Sequence, residues 1–254
     1  MAPTSPGAGL DNFARLIERV LTANKLIEVP ATVVNKPGGG GAVGAAYLAQ
    51  HPGDGHLFML TNPPLLTNHI MGRNPIELGA DLVGIASAAG NHNHIAVAQV
   101  VKGTGATLKN MKVVVFSGSG EAMTAMLGGH IDVINTSPSA LFPHFKAGRI
   151  RILAVTAEQR LGDPFSAIPT WKELGINAVT TGWRAVAGPK GMSEGQVRYW
   201  DEVFARMAQL PEWKQHLEQR QIENAYMNAR DTRKLMDAEY AKFKNLLTEL
   251  GLAK

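Results

Sequence analysis

The stretch Val33-Val34-Asn35-Lys36-Pro37-Gly38-Gly39-Gly40-Gly41-Ala42-Val43-Gly44 decides how this chain reads. The β-branched run Thr32 to Val34 predicts a strand that feeds a turn at Asn35-Lys36-Pro37. Four consecutive glycines follow, and then a helix-forming run from Ala42 to Ala49. Strand, glycine loop and helix together present bare backbone N–H groups and a helix N-terminus, which attract an anion. A tight turn alone accounts for one or two glycines at positive φ; four in succession point to something approaching the backbone closely. Gly39, Gly41 and Gly44 also satisfy G-x-G-x-x-G. A dinucleotide site wants in addition an acidic residue about 20 positions further on, at the end of the next strand. Asp54 comes too early, inside the turn His51-Pro52-Gly53-Asp54-Gly55. No Gly-Lys-Ser/Thr follows the loop, which excludes a P-loop. An anion such as a carboxylate is the leading reading. An enzyme that uses the Gly39–Gly44 loop for a phosphorylated or nucleotide ligand is the alternative.

A second glycine loop, Ser5-Pro6-Gly7-Ala8-Gly9, opens the chain, and a helix follows it with Phe13, Leu16, Ile17, Val20 and Leu21 at helical spacing. Asp11 serves either the ligand or the cap of that helix. In a parallel α/β sheet both glycine loops lie at the carboxyl edge of the strands, where such sheets bind ligands. The next predicted strand, His56–Leu60, ends at Thr61-Asn62-Pro63-Pro64, where Asn62 is either a ligand contact or part of a simple turn. Asp81–Ala89 and His94–Val101 read as strand-rich connections. A third strand–loop–helix unit is predicted from Lys112–Phe116, Ser117-Gly118-Ser119-Gly120 and Glu121–Leu127. Strand Ile131–Asn135 then ends in the polar cluster Asn135, Thr136, Ser137 and Ser139, followed by helix Leu141–Ala147 and strand Ile150–Thr156. Thr180–Ala187 contains Trp183-Arg184. Neighbours on a strand face opposite ways, and Arg184 serves either a carboxylate ligand or an ordinary ion pair. From Ser193 onward the chain is helical, with apolar stripes that face a core.

Composition narrows the classes. At 254 residues the chain makes one large domain or two moderate ones, and its 45% hydrophobic and 18% charged content is that of an ordinary globular protein. No apolar run of about 18 residues is present, so no membrane span is expected. There are no cysteines, which removes disulfide and thiolate chemistry. The net charge of +4 is scattered, without the basic stripe and interleaved aromatics of a nucleic-acid surface, so no nucleic-acid partner is expected. Asn91-His92-Asn93-His94 places two histidines on one face of a strand but offers no third ligand, so no metal is expected. No G-x-S-x-G, H-E-x-x-H or paired carboxylate appears, which argues against an enzyme, and no cofactor is expected. Met1 to Ser5 is no signal peptide, and the chain reads as a mature form with a start methionine.

Taken in order, the motifs resemble the periplasmic solute receptors of tripartite tricarboxylate transporters. The resemblance rests on Ser5 to Arg15, Val34 to Gly41, Pro52-Gly-Asp-Gly55, Phe116 to Ala122, Leu127-Gly-Gly-His-Ile-Asp132, Gly148 to Val155 and Ile168 to Gly175. Phe116-Ser117-Gly118 and Trp183-Arg184 are most similar to the branch that takes citrate-type tricarboxylates. The resemblance implies an α/β, two-lobed periplasmic binding protein of type II-like form, with a hinge and an interlobe cleft. One lobe would hold 1–103 and about 225–254, and the other 104–224. It implies a monomeric, non-enzymatic periplasmic receptor that hands a small di- or tricarboxylate to integral-membrane transporter subunits, or else a sensor feeding a membrane signalling protein. In the family the first two glycine loops clamp a carboxylate. Ser5, Pro6, Gly7, Ala8, Gly9, Gly38, Gly39, Gly40 and Gly41 match those loops, and Asp11 matches the loop aspartate. Asn62, Asn135, Thr136, Ser137, Trp183 and Arg184 are the expected distal contacts. The family also carries a further strand, glycine/serine loop and helix, about 30 or more residues, between the segments matching Asn110 and Val113. That unit is missing here. It is either truly deleted or possessed by the protein and absent from this 254-residue sequence, and the abrupt Lys109–Lys112 junction favours the second reading.

Overall fold

A computed structural model describes residues 1–72, 82–89, 93–105, 112, 114, 116, 119–220, 222–249 and 253. In chain order its elements are α1 (Gly9–Ala23), α2 (Ala42–Ala49), β1 (Met59–Thr61), α3 (Pro64–Ile70), β2 (Leu82–Ala89), α4 (Asn93–Gly103) and α5 (Ser119–Leu127). There follow α6 (Pro138–Lys146), β3 (Thr181–Ala187), α7 (Glu194–Gln209), α8 (Pro211–Glu218), β4 (Ile222–Glu223) and α9 (Ala229–Glu249). The strands form one sheet in the order β1-β3-β2-β4, with β1 antiparallel to β3 and Thr61 opposite Ala185.

The chain divides into two compact units. The first comprises Met1–Ala86, Trp183–Gln219 and Glu223–Lys254, the second Ser87–Gly182 and Arg220–Ile222. This partition differs from the expected boundaries in two places, and packing explains both. The α7–α8 segment belongs with the first unit because Phe13 of α1 lies 5.6 Å from the Trp213 ring of α8. Residues 87–103 belong with the second, where Gly103 sits so close to Ile176 that a Cβ would come within 2.5 Å of its methyl carbon.

In the first unit, alternation along the strands sorts the two faces. Phe58 meets Trp200 of α7 at 4.4 Å, and Arg184 of β3 stands over Phe13 of α1. On the opposite face Met59 abuts Gly44 of α2. Leu16, Val20, Met59, Met207, Trp213, Leu217, Phe243 and Leu247 are fully buried between these layers. Trp213 also donates its indole N–H to Asn224 Oδ1 at 3.1 Å, and Asn224 donates to the Ala208 carbonyl at 2.8 Å. Ser193 and Gln196 close a reciprocal capping box at the start of α7. The expected strand at Thr32–Val34 is reduced to a parallel bridge between Ala2 and Asn35. Ala2 exchanges two hydrogen bonds with Val34 and Lys36, and the pairing ends there. The strand expected at His56–Leu60 forms as the shorter β1, shifted to Met59–Thr61.

The second unit buries Phe165 against Phe142 and Phe145, at 6.1 and 5.7 Å. Two expected strands are absent there. Ile131–Asn135 and Ile150–Thr156 are irregular, apart from one bridge between Val155 and Thr170. A β-branched run becomes a strand only when a neighbour completes its ladder, and Val133, 66% exposed, is left facing solvent. His94–Val101, expected as strand, lies inside helix α4, whose Ala96 and Val101 are buried five positions apart. Helix α6 starts three residues earlier than expected because Pro138 fits the first helical position. Asn91-His92, Thr107–Met111 and Ser117-Gly118 fall outside the described residues, as does the pairing of Lys112–Phe116.

Trp213→Ala is expected to cost about 3–5 kcal/mol of stability. It empties the contact with Phe13 and strips Asn224 of a donor. A urea titration followed by circular dichroism reads this as a lowered midpoint.

Candidate functional site

The four-glycine loop is held in conformations that side chains resist. Gly38, Gly39, Gly40 and Gly41 have φ of 129°, 57°, 62° and 102°. Gly39–Gly41 wind into a 3₁₀ turn that runs directly into α2. Gly38, Gly39 and Gly40 are exposed and Gly41 is buried. A Cβ on Gly40 would come within 2.0 Å of Asn68 Nδ2, which donates to the Gly40 carbonyl at 3.4 Å. Helix α3 thus supports the loop from beneath. Gly44 has a different duty. A Cβ there would lie 3.0 Å from the Met59 sulfur and 3.1 Å from Pro3, so the last glycine of the G-x-G-x-x-G pattern serves helix–strand packing.

The first loop turns at Gly7, with φ of 79°, and leads into α1. Ala8 takes the capping position in an extended conformation and supplies no side-chain cap. The opening turn of α1 therefore keeps its N–H groups without a capping side chain, beside the exposed residues Ser5, Pro6, Gly7 and Gly9.

Asp11 joins the two loops. Its side chain is 1% exposed, and its Oδ2 accepts from the Gly7 N–H at 2.7 Å and from Arg15 Nε at 3.1 Å. Its Oδ1 accepts from Asn35 Nδ2 at 2.8 Å. The same amide donates to the Thr4 carbonyl at 2.9 Å, and Arg15 Nη2 reaches Asn35 Oδ1 at 3.4 Å. The Arg15 hydrogen bond, helped by Gly7 and Asn35 against the opposing effect of burial, holds the Asp11 carboxyl down to about 2. With these contacts made to its own loop, to Arg15 and to Asn35, Asp11 fixes how both loops are presented.

The remaining expected residues divide between the units. In the first, Asn62 is half-buried just past β1, and its carbonyl accepts from the Leu65 N–H at 3.1 Å. Trp183 and Arg184 are both buried in β3, each 8% exposed. In the second, Thr136 is buried and donates to Ser119 Oγ at 2.6 Å, at the first residue of α5. Asn135 and Ser137 are half-buried beside it, with Ser137 at the capping position of α6. Asn35, Arg15 and Asn68 were not singled out from the sequence. Arg15 had a legible signal, four residues beyond Asp11 on one helix. Asn68 had none, because its contact with Gly40 is made only in three dimensions. Among the described residues no group of three or more His, Asp or Glu is placed to hold a metal. No helix among them is long and apolar enough to cross a membrane.

Residues 74–252 match the family model of the tripartite tricarboxylate transporter family receptor, TctC. The match starts beyond both glycine loops and spans well over half of the chain. A Cupriavidus necator protein described as "UPF0065 protein in gbd 5'region" is 25% identical over 270 residues, covering 91% of this chain and 81% of its own. That alignment is longer than this chain of 254 residues, so the relative has residues with no counterpart here. Among solved structures, Rpa4515 of R. palustris with adipate superposes with a TM-score of 0.84 at 22% identity, over 99% of this chain and 96% of that one. MatC of Rhodopseudomonas palustris with bound malate gives 0.77 at 18% identity, over 96% of each chain. At such identities these likenesses establish a shared fold, that of α/β solute-binding proteins.

The depressed Asp11 carboxyl makes loop order dependent on pH. Its stabilisation is complete above the ordinary value of 3.8 and is lost as pH falls through about 2. Asp11→Asn cannot titrate. The wild-type advantage in urea midpoint over this variant is expected to be constant above about pH 5 and to shrink steadily toward about pH 2.

Proposed function

The chain belongs to the tripartite tricarboxylate transporter receptor family, and on that premise we propose that it captures a small di- or tricarboxylate in the periplasm, as a monomer, for delivery to membrane transporter subunits. As a receptor it binds its ligand without turning it over. The reading is supported most by the paired glycine loops. Each leads into a helix N-terminus, each is exposed, and Asp11 and Asn35 tie one to the other. A carboxylate oxygen accepts hydrogen bonds from backbone N–H groups, and the positive ends of two helices favour its charge. Ser5 to Gly9 and Gly38 to Gly41 are the proposed clamp, and Asp11 is its positioning residue. Asn62, Trp183 and Arg184 are proposed contacts to the rest of the ligand, with Asn135, Thr136 and Ser137 as further candidates.

The class of ligand draws support from two relatives solved with adipate and malate, both dicarboxylates. The citrate-like end of the range rests on the similarity of Phe116-Ser117-Gly118 and Trp183-Arg184 to the tricarboxylate branch. The nucleotide alternative is disfavoured by the lack of an acidic residue at the end of the strand after the loop, since Asp54 lies in the turn before β1.

Gly40→Asp is expected to abolish carboxylate binding in isothermal titration calorimetry. It puts a like charge and a side chain where the ligand meets the backbone, at a φ of 62°. Gly105→Ala, distant in sequence and in open space at a similar positive φ, controls for backbone strain and is expected to bind normally. Unchanged affinity in Gly40→Asp would remove the loop from the site.

A further inference from the structure

Arg184 is a buried cation whose charge no carboxylate answers among the described residues. It is 8% exposed, and its Nη1 makes no hydrogen bond. Among the described residues no Asp or Glu forms an ion pair with it. The guanidinium instead lies over the Phe13 ring, 4.8 Å from its centroid. A cation–π contact supplies no hydrogen-bond acceptor, so it leaves the buried Nη1 unanswered. Burial draws its pKa down to about 10, so the group remains charged at neutral pH. A buried, unpaired charge is strongly unfavourable, and a methionine of similar length would pack on Phe13 without that cost.

Its position gives the cation a use. Thr61 pairs with Ala185, so Arg184 stands one residue further along, level with Asn62 at the carboxyl end of β1. Phe13 is one turn inside α1, whose N-terminus is the Ser5–Gly9 loop. Thr4 Oγ1, next to that loop in sequence, is a further buried group without a hydrogen-bond partner. The guanidinium can only donate, and what its Nη1 lacks is an acceptor.

We infer that Arg184 is the specificity-determining counter-charge for a ligand carboxylate, so that the site selects di- and tricarboxylates over monocarboxylates. This rests on the glycine-loop reading above: the loops hold one carboxylate through backbone donors, and Arg184 answers a further negative charge. A guanidinium suits that task because its planar fork matches the two oxygens of a carboxylate.

The test measures affinities of adipate, tricarballylate and hexanoate by calorimetry, together with melting temperature without ligand. Arg184→Met is expected to lose tenfold or more in affinity for adipate and tricarballylate, while the unliganded melting temperature holds or rises. Arg184→Lys should keep part of that affinity and show a smaller preference over hexanoate. If Arg184→Met binds like wild type and melts lower, the arginine is a packing element and the inference is overturned. Should the Met variant not fold, the Lys variant decides, since an unchanged preference over hexanoate overturns the inference equally. Wild type that binds no carboxylate at all would overturn the loop reading itself. Binding lost in Gly40→Asp but kept in Arg184→Met would overturn only the present inference.

Discussion

The presentation of both glycine loops depends on one buried carboxylate. Asp11 gathers the Gly7 N–H, the Arg15 guanidinium and the Asn35 amide, and through Asn35 it reaches the Thr4 carbonyl. These groups come from the first loop, from α1 and from the approach to the second loop. A glycine-rich loop is entropically costly to order, because its residues lose more backbone freedom than any others. Charge-assisted hydrogen bonds at the base of the loops offset that cost without placing side chains on the exposed surface. The exposed glycines stay bare, and the ordering groups lie beneath them.

This division of labour suits recognition of a small anion. Backbone donors at two helix N-termini accept a carboxylate without committing the protein to a particular ligand body. Discrimination then has to come from side chains. Arg184 is suited to it because its charge has no carboxylate partner among the described residues, and its guanidinium carbon is held 4.8 Å from the Phe13 ring centroid. The stability forgone at such a residue is of the kind proteins accept at sites of function.

The sequence made the local devices legible and the long-range ones not. Both loops, the helices that follow them, and the stripes of α7, α8 and α9 could be read from glycine placement and helical spacing. Asp11 was singled out, but its role depends on Asn35, 24 residues away, and on a fold that brings the two together. The burial of Arg184 was equally hidden, because a strand pattern shows alternation and not which face lies under a helix. The second unit departs most from expectation. Ile131–Asn135 and Ile150–Thr156 have strand-like composition, yet pairing depends on neighbours, and only the Val155–Thr170 bridge forms. The strand–loop–helix segment expected between Asn110 and Val113 falls at residues outside the described ones. Propensity specifies what a segment can do; the partners available decide what it does.

Whether this chain is a carboxylate receptor is decided by a thermal-shift titration of the wild-type protein. The panel would hold adipate, malate, citrate and tricarballylate beside NAD and inorganic phosphate. A ligand that binds only the folded state raises the melting temperature in proportion to its occupancy. A carboxylate receptor gives a concentration-dependent rise with at least one di- or tricarboxylate and none with NAD. A flat response to every carboxylate, or a rise with NAD alone, would rule that function out.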